Sequence, residues 1–442
     1  MFYQHLFKIS EYVWKYRFRK INKLFSTTLL TTCLHSLVWA ECMPGVYGDD
    51  QHNVIVVSNS IESPSAGFNY LMLDGRFGTT VSTSKPFHCN NNFITLNDGE
   101  KATSRLSPIS LIRTKTTFTS AETILTGELV EPSGRINESR PLVVMVHGSE
   151  QSTAIGNSRA LLLAALGISV FVYDKRGTGQ SNGIYTQNFE LLAEDAAAAM
   201  RHVRTLAAGR FSRVGYWGAS QGGWVAPLAA TRSHADFVVV GYGLVASPIE
   251  EDLDQMILEA QQQKFSTEHL NQIHHLSTVT AKVLRTHFTE GLKELETLRK
   301  QYKTQPWINS INGEYSGAML RMSNADLNRI GRAIFDNLEL SWDYESSLVL
   351  EKVRVPLLWV AAENDREAPS NRTLQRLAKL KKNNVSLQVY IFPNTDHGMY
   401  EYTEISDGSR QFNRVTDGYF RLVAEWIQEN KKPFTGKAYS LN

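Results

Sequence analysis

From Pro141 onward the chain alternates near-continuous apolar runs with stretches whose apolar residues recur every three or four positions. The runs PLVVMVHG, ISVFVYD, RVGYWGAS, DFVVVGYG, VPLLWVAAEND and VSLQVYIFP read as strands buried on both faces. Helices are expected around Ser158–Leu166, Phe189–Ala208, Gln221–Thr231, Asn371–Lys381 and Gln411–Glu429. Strands without a polar face, separated by helices, form a largely parallel α/β sheet covered on both sides. Ligands of such sheets sit beyond the carboxyl ends of the strands.

Two segments break this alternation. Residues 41–120 carry short β-branched and aromatic runs (NVIVVSNS, FNYLMLDG, GTTVSTS, NFITLNDG, SPISLIRTKTTF) separated by Gly, Asn, Asp and Ser, the pattern of a small antiparallel sheet domain. Between Ile249 and Val353 the pattern is helical, as in IEEDLDQMILEAQQQKF and NRIGRAIFDNLELSW, and interrupts the α/β order. Helices inserted there form a cap over the ligand edge of the sheet. The organisation read from the sequence is therefore a leader at 1–40, a β-rich domain at 41–120, a catalytic domain at 121–442 and a cap at 249–353 inside it.

The formal net charge of +2 hides an asymmetry. Residues 1–23 carry six Lys and Arg against Glu11, and Leu24–Ala40 holds no charge. This basic, then apolar, then small-residue order reads as a signal peptide cleaved before Glu41, with export to the periplasm or medium; an uncleaved anchor is the alternative. The apolar run, diluted by Thr, Ser and His, makes a poor stable span. Without its leader the chain is slightly acidic and shows no basic patch, so no nucleic-acid partner is expected. Cys42 and Cys89 remain, either as a disulfide suited to an exported chain or as two buried thiols. The histidines show no zinc-site spacing and the Lys of YDKRGTGQSNG does not end a phosphate-binding frame, so neither metal nor cofactor is expected.

Ser220 stands in Gly218-Ala219-Ser220-Gln221-Gly222, where the run RVGYW stops and a helix starts. A serine in such a strand-to-helix turn exposes its hydroxyl, and the flanking glycines let strand and helix pass closely. An acid and a base are then needed further along the chain. Asp365 ends one strand and His397 the next, which suits an orienting acid and a general base; Glu363 is the rival acid, and Asp396 is too close in sequence to His397. The backbone N–H groups of Ser149, after His147-Gly148, and of Gln221 suit an oxyanion hole. Asp174 and Arg176 are expected to pin the loop bordering the site.

From Thr126 to the end, HGSE, YDKRGTGQS, GASQGGWVAP, END and DHG occur in an order and spacing that resemble the α/β-hydrolase superfamily, and within it bacterial esterases similar to serine aminopeptidases and dienelactone hydrolases. The resemblance implies Ser220 as nucleophile, Asp365 as acid, His397 as base and the amides of Ser149 and Gln221 as oxyanion donors. A carboxylesterase acting on small acyl esters needs only these groups and an apolar pocket, and is the favoured expectation. A serine aminopeptidase would also need an acid for the substrate amine, for which the cap offers Glu250, Glu251 and Asp254. Thioesterase activity and a non-catalytic binding role are further alternatives.

Overall fold

The computed structural model describes residues 42–441 apart from 60–66, 83, 91, 99–100, 134–138, 337 and 384–385. The leader at 1–40, and the cleavage expected before Glu41, lie outside the described residues. No helix among the described residues is long and apolar enough to cross a membrane.

A nine-stranded sheet carries the main body, in the spatial order Tyr439–Ser440, Leu387–Phe392, Leu357–Ala362, Val238–Gly241, Phe211–Ala219, Arg140–Val146, Ser169–Tyr173, Thr123–Pro132 and Leu111–Ser120. The strands from Leu387–Phe392 to Ser169–Tyr173 run parallel, and those at the two margins antiparallel. Every residue of Ser169–Tyr173, Val238–Gly241 and Leu357–Ala362 is buried, as their unbroken apolar runs require. One core packs Phe189–Leu206 and Gly222–Ala230 on one face, and a second packs Ser158–Ala165 and Tyr419–Ile427 on the other. Each Val, Leu, Ile or Phe so buried contributes roughly 1.5–3 kcal/mol. Register aligns Val146 with Gly218, Ala219 with Gly241, Gly241 with Val360, and Ala362 with Phe392, so the loops after these strands emerge along one edge.

Two expected elements differ. Leu111–Ser120 was placed in the small sheet by its composition, but it pairs along its whole length with Thr123–Pro132 in the large one. Its alternating exposure is that of an edge strand, which reads like any other half-buried strand. The final helix begins only at Tyr419, after Gly418, and Arg410–Val415 is a strand paired with Tyr400–Glu404. Asp407-Gly408 turns this hairpin: the Asp407 carboxylate accepts from the Ser409 N–H, and Gly408 takes φ +81°.

The small sheet is antiparallel, with the order Phe77–Thr79, Phe68–Met72, Val54–Asn59, Gly45–Gly48, Lys101–Ile109, Phe93–Asp98, Phe87–Asn90. It leans on the flank of the large one, where Val46, Val54 and Leu71 share a core with Leu161 and Ile168. At Gly75, φ is +91° and a Cβ would lie 1.9 Å from the Val415 carbonyl oxygen, so only glycine fits that junction. Cys42 and Cys89 form a disulfide spanning 47 residues, with Cα atoms 5.0 Å apart. Replacing both with alanine is expected to lower stability by about 2–4 kcal/mol, read by denaturant unfolding, and to leave turnover per folded molecule unchanged.

Between Gly241 and Leu357 the chain is mostly helical, with Pro248–Gln262, Thr267–Arg285, Leu292–Tyr302, Ser316–Arg321, Leu327–Asp336 and Ser346–Leu350 as its main elements. They enclose a core of their own around Met256, Leu276, Trp307 and Phe335.

Candidate active site

Ser220 follows the strand Phe211–Ala219 directly and takes φ +53°, a conformation a non-glycine residue holds only when its surroundings impose it. Its N–H donates to the Gly241 carbonyl at 3.1 Å, and its own carbonyl accepts from Gly223 at 2.7 Å. The flanking glycines make the turn possible: a Cβ on Gly218 would lie 2.0 Å from the Gly222 oxygen, and one on Gly222 2.3 Å from the Val146 oxygen. The sharp turn lifts the Ser220 hydroxyl above the sheet edge.

His397 enters from the next loop cluster. Its Nε2 lies 3.0 Å from Ser220 Oγ and its Nδ1 2.9 Å from Asp365 Oδ2. The other Asp365 oxygen accepts the N–H groups of Glu367 and Ala368 at 3.0 and 2.7 Å, which fixes the carboxylate plane. Asp396 accepts the His397 and Arg366 N–H groups, each at 2.8 Å, and pairs with Arg410 at 2.7 Å, so it anchors the loop and does not meet the imidazole. Glu363, the rival acid, instead accepts from the Tyr439 hydroxyl at 2.8 Å. The Tyr242 ring stands edge-on to the imidazole with centroids 5.0 Å apart. Burial lifts the Asp365 carboxyl above its ordinary value, against the pull of His397. Burial alone would lower the His397 imidazole; the carboxylates of Asp365, Glu367 and Glu251 outweigh it and raise it.

Above Ser220 opens a cleft of about 600 Å³, counting its mouth, with Ser149 and Gln221 beside the hydroxyl. A Cβ on Gly148 would lie 3.4 Å from that of Ser220, so the Gly148–Ser149 peptide runs against the serine. Gln221 caps the helix Gly222–Ala230. The helix Gly222–Ala230 contributes Trp224 and the cap Leu340 and Trp342, while Trp307 and Phe335 are buried in the cap core.

Three carboxylates also line the cleft: Glu251 from the first turn of Pro248–Gln262, Glu314 from the loop before Ser316–Arg321, and Glu367 from the loop after Asp365. Glu367 Oε1 lies 3.7 Å from His397 Nε2. Burial, then the neighbouring carboxylates, pushes Glu251 well above the usual carboxylate range and Glu314 above it. Of the acids singled out in sequence, Glu250 and Asp254 are turned elsewhere, toward Arg372 and Arg376. Glu314 and Glu367 carry no local motif. Glu314 is stapled to the cap helix: Asp252 accepts the Tyr315 and Ser316 N–H groups at 2.9 and 3.0 Å, and Glu259 accepts that of Asn312 at 2.6 Å.

The loop after Ser169–Tyr173 is pinned by the two residues expected to do so. Asp174 accepts the N–H groups of Ala154 and Gln180 at 2.7 and 2.8 Å, and Arg176 grips Asp195 at 2.8 and 2.6 Å. Breaking that buried pair by removing one partner costs about 3–5 kcal/mol. His147 donates from Nε2 to the Tyr173 carbonyl at 3.2 Å. No group of three or more His, Cys, Asp and Glu among the described residues is arranged to hold a metal ion.

Residues 137–312 match the family described as "Serine aminopeptidase, S33", and residues 330–417 the "Prolyl oligopeptidase family". No curated protein matches the chain. Among solved structures it is similar to the Pyrococcus furiosus esterase Pf2001 (14% identity, TM-score 0.42, 65% of this chain and 84% of that one). It is similar also to the Pyrococcus horikoshii acylaminoacyl peptidase (15% identity, TM-score 0.43, 87% of this chain and 54% of that one).

Proposed function

We propose that this α/β-hydrolase is a serine hydrolase that cleaves an acyl bond beside a free amino group, as a serine aminopeptidase does. The observation that carries the reading is the convergence of Glu251, Glu314 and Glu367 on the cleft over Ser220. Half-buried carboxylates crowded into one cleft are costly to ionise together without a cation, and a substrate ammonium supplies one. Esters with an uncharged acyl group are the second reading, supported by the apolar wall of Trp224, Leu340 and Trp342. The Cys42–Cys89 disulfide supports export to an oxidising compartment.

In this mechanism Ser220 Oγ attacks the substrate carbonyl carbon while its proton passes to His397 Nε2. The N–H groups of Ser149 and Gln221 receive the negative charge forming on the carbonyl oxygen. The bond to the leaving group breaks as His397 returns the proton to it. Water then attacks the acyl-Ser220 ester, with His397 again taking and returning the proton, and the acid is released.

The test is a matched pair of substrates, an aminoacyl p-nitroanilide and its N-acetylated form. One charge-assisted contact to the ammonium favours the free amine about ten- to a hundredfold in kcat/KM. Glu314→Gln is expected to erase most of that preference. Because burial and the neighbouring carboxylates hold Glu314 above the usual carboxylate range, its ionised form fades on acidification while an ordinary carboxylate is still charged, so KM for the free amine is expected to rise toward acid pH while KM for the acetylated substrate stays level. Equal turnover of the pair, unchanged by Glu314→Gln, would leave the ester reading.

A further inference from the structure

Lys175 has no role in the reaction as described, and yet its ammonium is buried directly behind the site. It donates to the Gly148 carbonyl oxygen at 2.5 Å. That carbonyl belongs to the same peptide unit as the Ser149 N–H. Tyr185 donates its hydroxyl to the next carbonyl, that of Ser149, at 2.5 Å, and its ring lies 5.1 Å from the Lys175 nitrogen. The two side chains therefore hold both carbonyls that flank Ser149.

We infer that Lys175 is a positioning residue for the oxyanion hole, which fixes and polarises the Gly148–Ser149 peptide so that its N–H is a stronger donor toward the reacting oxygen. The inference rests on the proposed roles of Ser220 and Ser149. Its physical basis is that a carbonyl held by a cation draws electron density from its own amide and makes the N–H more acidic, an effect strengthened where water is excluded. The positive charge also lies one peptide away from where negative charge develops. Tyr185 holds the following carbonyl through its hydroxyl.

The groups around Lys175 decide its charge. Burial lowers its ammonium to about 8, opposed by the Glu150 carboxylate. Glu150 is itself held well below the usual carboxylate range, because its contact with His147 at 3.3 Å and the charge of Lys175 outweigh its burial. Asp174, next in sequence, is spent on Ala154 and Gln180, and Tyr185 offers its ring and hydroxyl. As pH rises through about 8 the ammonium loses its proton, and the polarisation of the Gly148–Ser149 peptide is lost with it.

The experiment compares the full-length enzyme with Lys175→Met, Lys175→Arg and Ser220→Ala on one chromogenic substrate from pH 6 to 10, normalised to folded protein by thermal melting. In Lys175→Met, kcat is expected to fall on the order of 10- to 100-fold with KM within twofold, the size typical of groups that orient a reacting one. Divided by the Lys175→Met profile, which carries the rise set by His397 alone, the wild-type rate is expected to decline above pH 8, a limb displaced beyond pH 10 in Lys175→Arg. If Lys175→Met does not fold, the wild-type profile divided by that of Lys175→Arg decides. Wild-type kcat in Lys175→Met, or an identical limb in the wild type and Lys175→Arg, overturns the inference alone. Turnover surviving in Ser220→Ala overturns the reading of the whole site.

Discussion

Ser220→Ala is expected to reduce turnover by at least about 10⁴-fold, and to abolish one-to-one labelling by a fluorophosphonate, while the fold is kept. The hydroxyl is the only part removed, and it is the group that lies 3.0 Å from His397 Nε2. Stability provides an internal control. Alanine inherits the positive φ of +53° and with it the strain, whereas Ser220→Gly relieves it. Both variants are expected to be inactive, with the glycine form more stable by about 1 kcal/mol in denaturant titration. Strain retained in an active serine and released in an inactive glycine is what a functional turn predicts; a merely conformational turn would tolerate glycine without loss of activity. Turnover that survives Ser220→Ala after removal of wild-type contamination would end this reading of the site.

The sheet and the Ser220, Asp365 and His397 cluster were legible because each lies where an unbroken apolar run stops, and parallel register brings such ends to one edge. Of the carboxylate wall only Glu251 was. Glu250, Glu251 and Asp254 share one helix, and the side that helix turns to the sheet depends on tertiary packing; Glu250 is taken up by the N-terminal capping box with Ser247, and Asp254 by Arg372. Glu314 reaches the cleft only through backbone bonds to Asp252 and Glu259, more than fifty residues away. Lys175 was noticed only for what it failed to match. Its partner is a backbone carbonyl, a contact with no sequence signature. The second strand of the hairpin around Asp407-Gly408 was read from Gln411 as the start of the final helix, because the apolar spacing of Tyr419–Ile427 was extended backward through it.

Asp365→Asn is expected to lower kcat/KM by about 10³–10⁴-fold, nearly as much as loss of the nucleophile, and for a reason the hydrogen bonds make explicit. Asp365 Oδ1 accepts two backbone N–H groups, from Glu367 and Ala368, so an asparagine must keep its carbonyl oxygen there and point its NH₂ at the imidazole. His397 Nδ1, now facing a donor, must accept; its proton moves to Nε2, and the nitrogen 3.0 Å from Ser220 Oγ has no lone pair to take the hydroxyl proton. The charge change has its own signature. Carboxylates hold the His397 imidazole above its ordinary value, so removing that of Asp365 lowers it, and the acid limb of the residual activity is expected to move to lower pH than in the wild type. Glu363→Gln supplies the contrast, since Glu363 binds Tyr439 and the Asn394 N–H beyond reach of the imidazole, and its kcat is expected to stay within twofold. Full activity in Asp365→Asn, or a comparable collapse in Glu363→Gln, would reassign the acid; a collapse confined to Asp365→Asn with the acid limb shifted down ties the loss to the tautomer of His397.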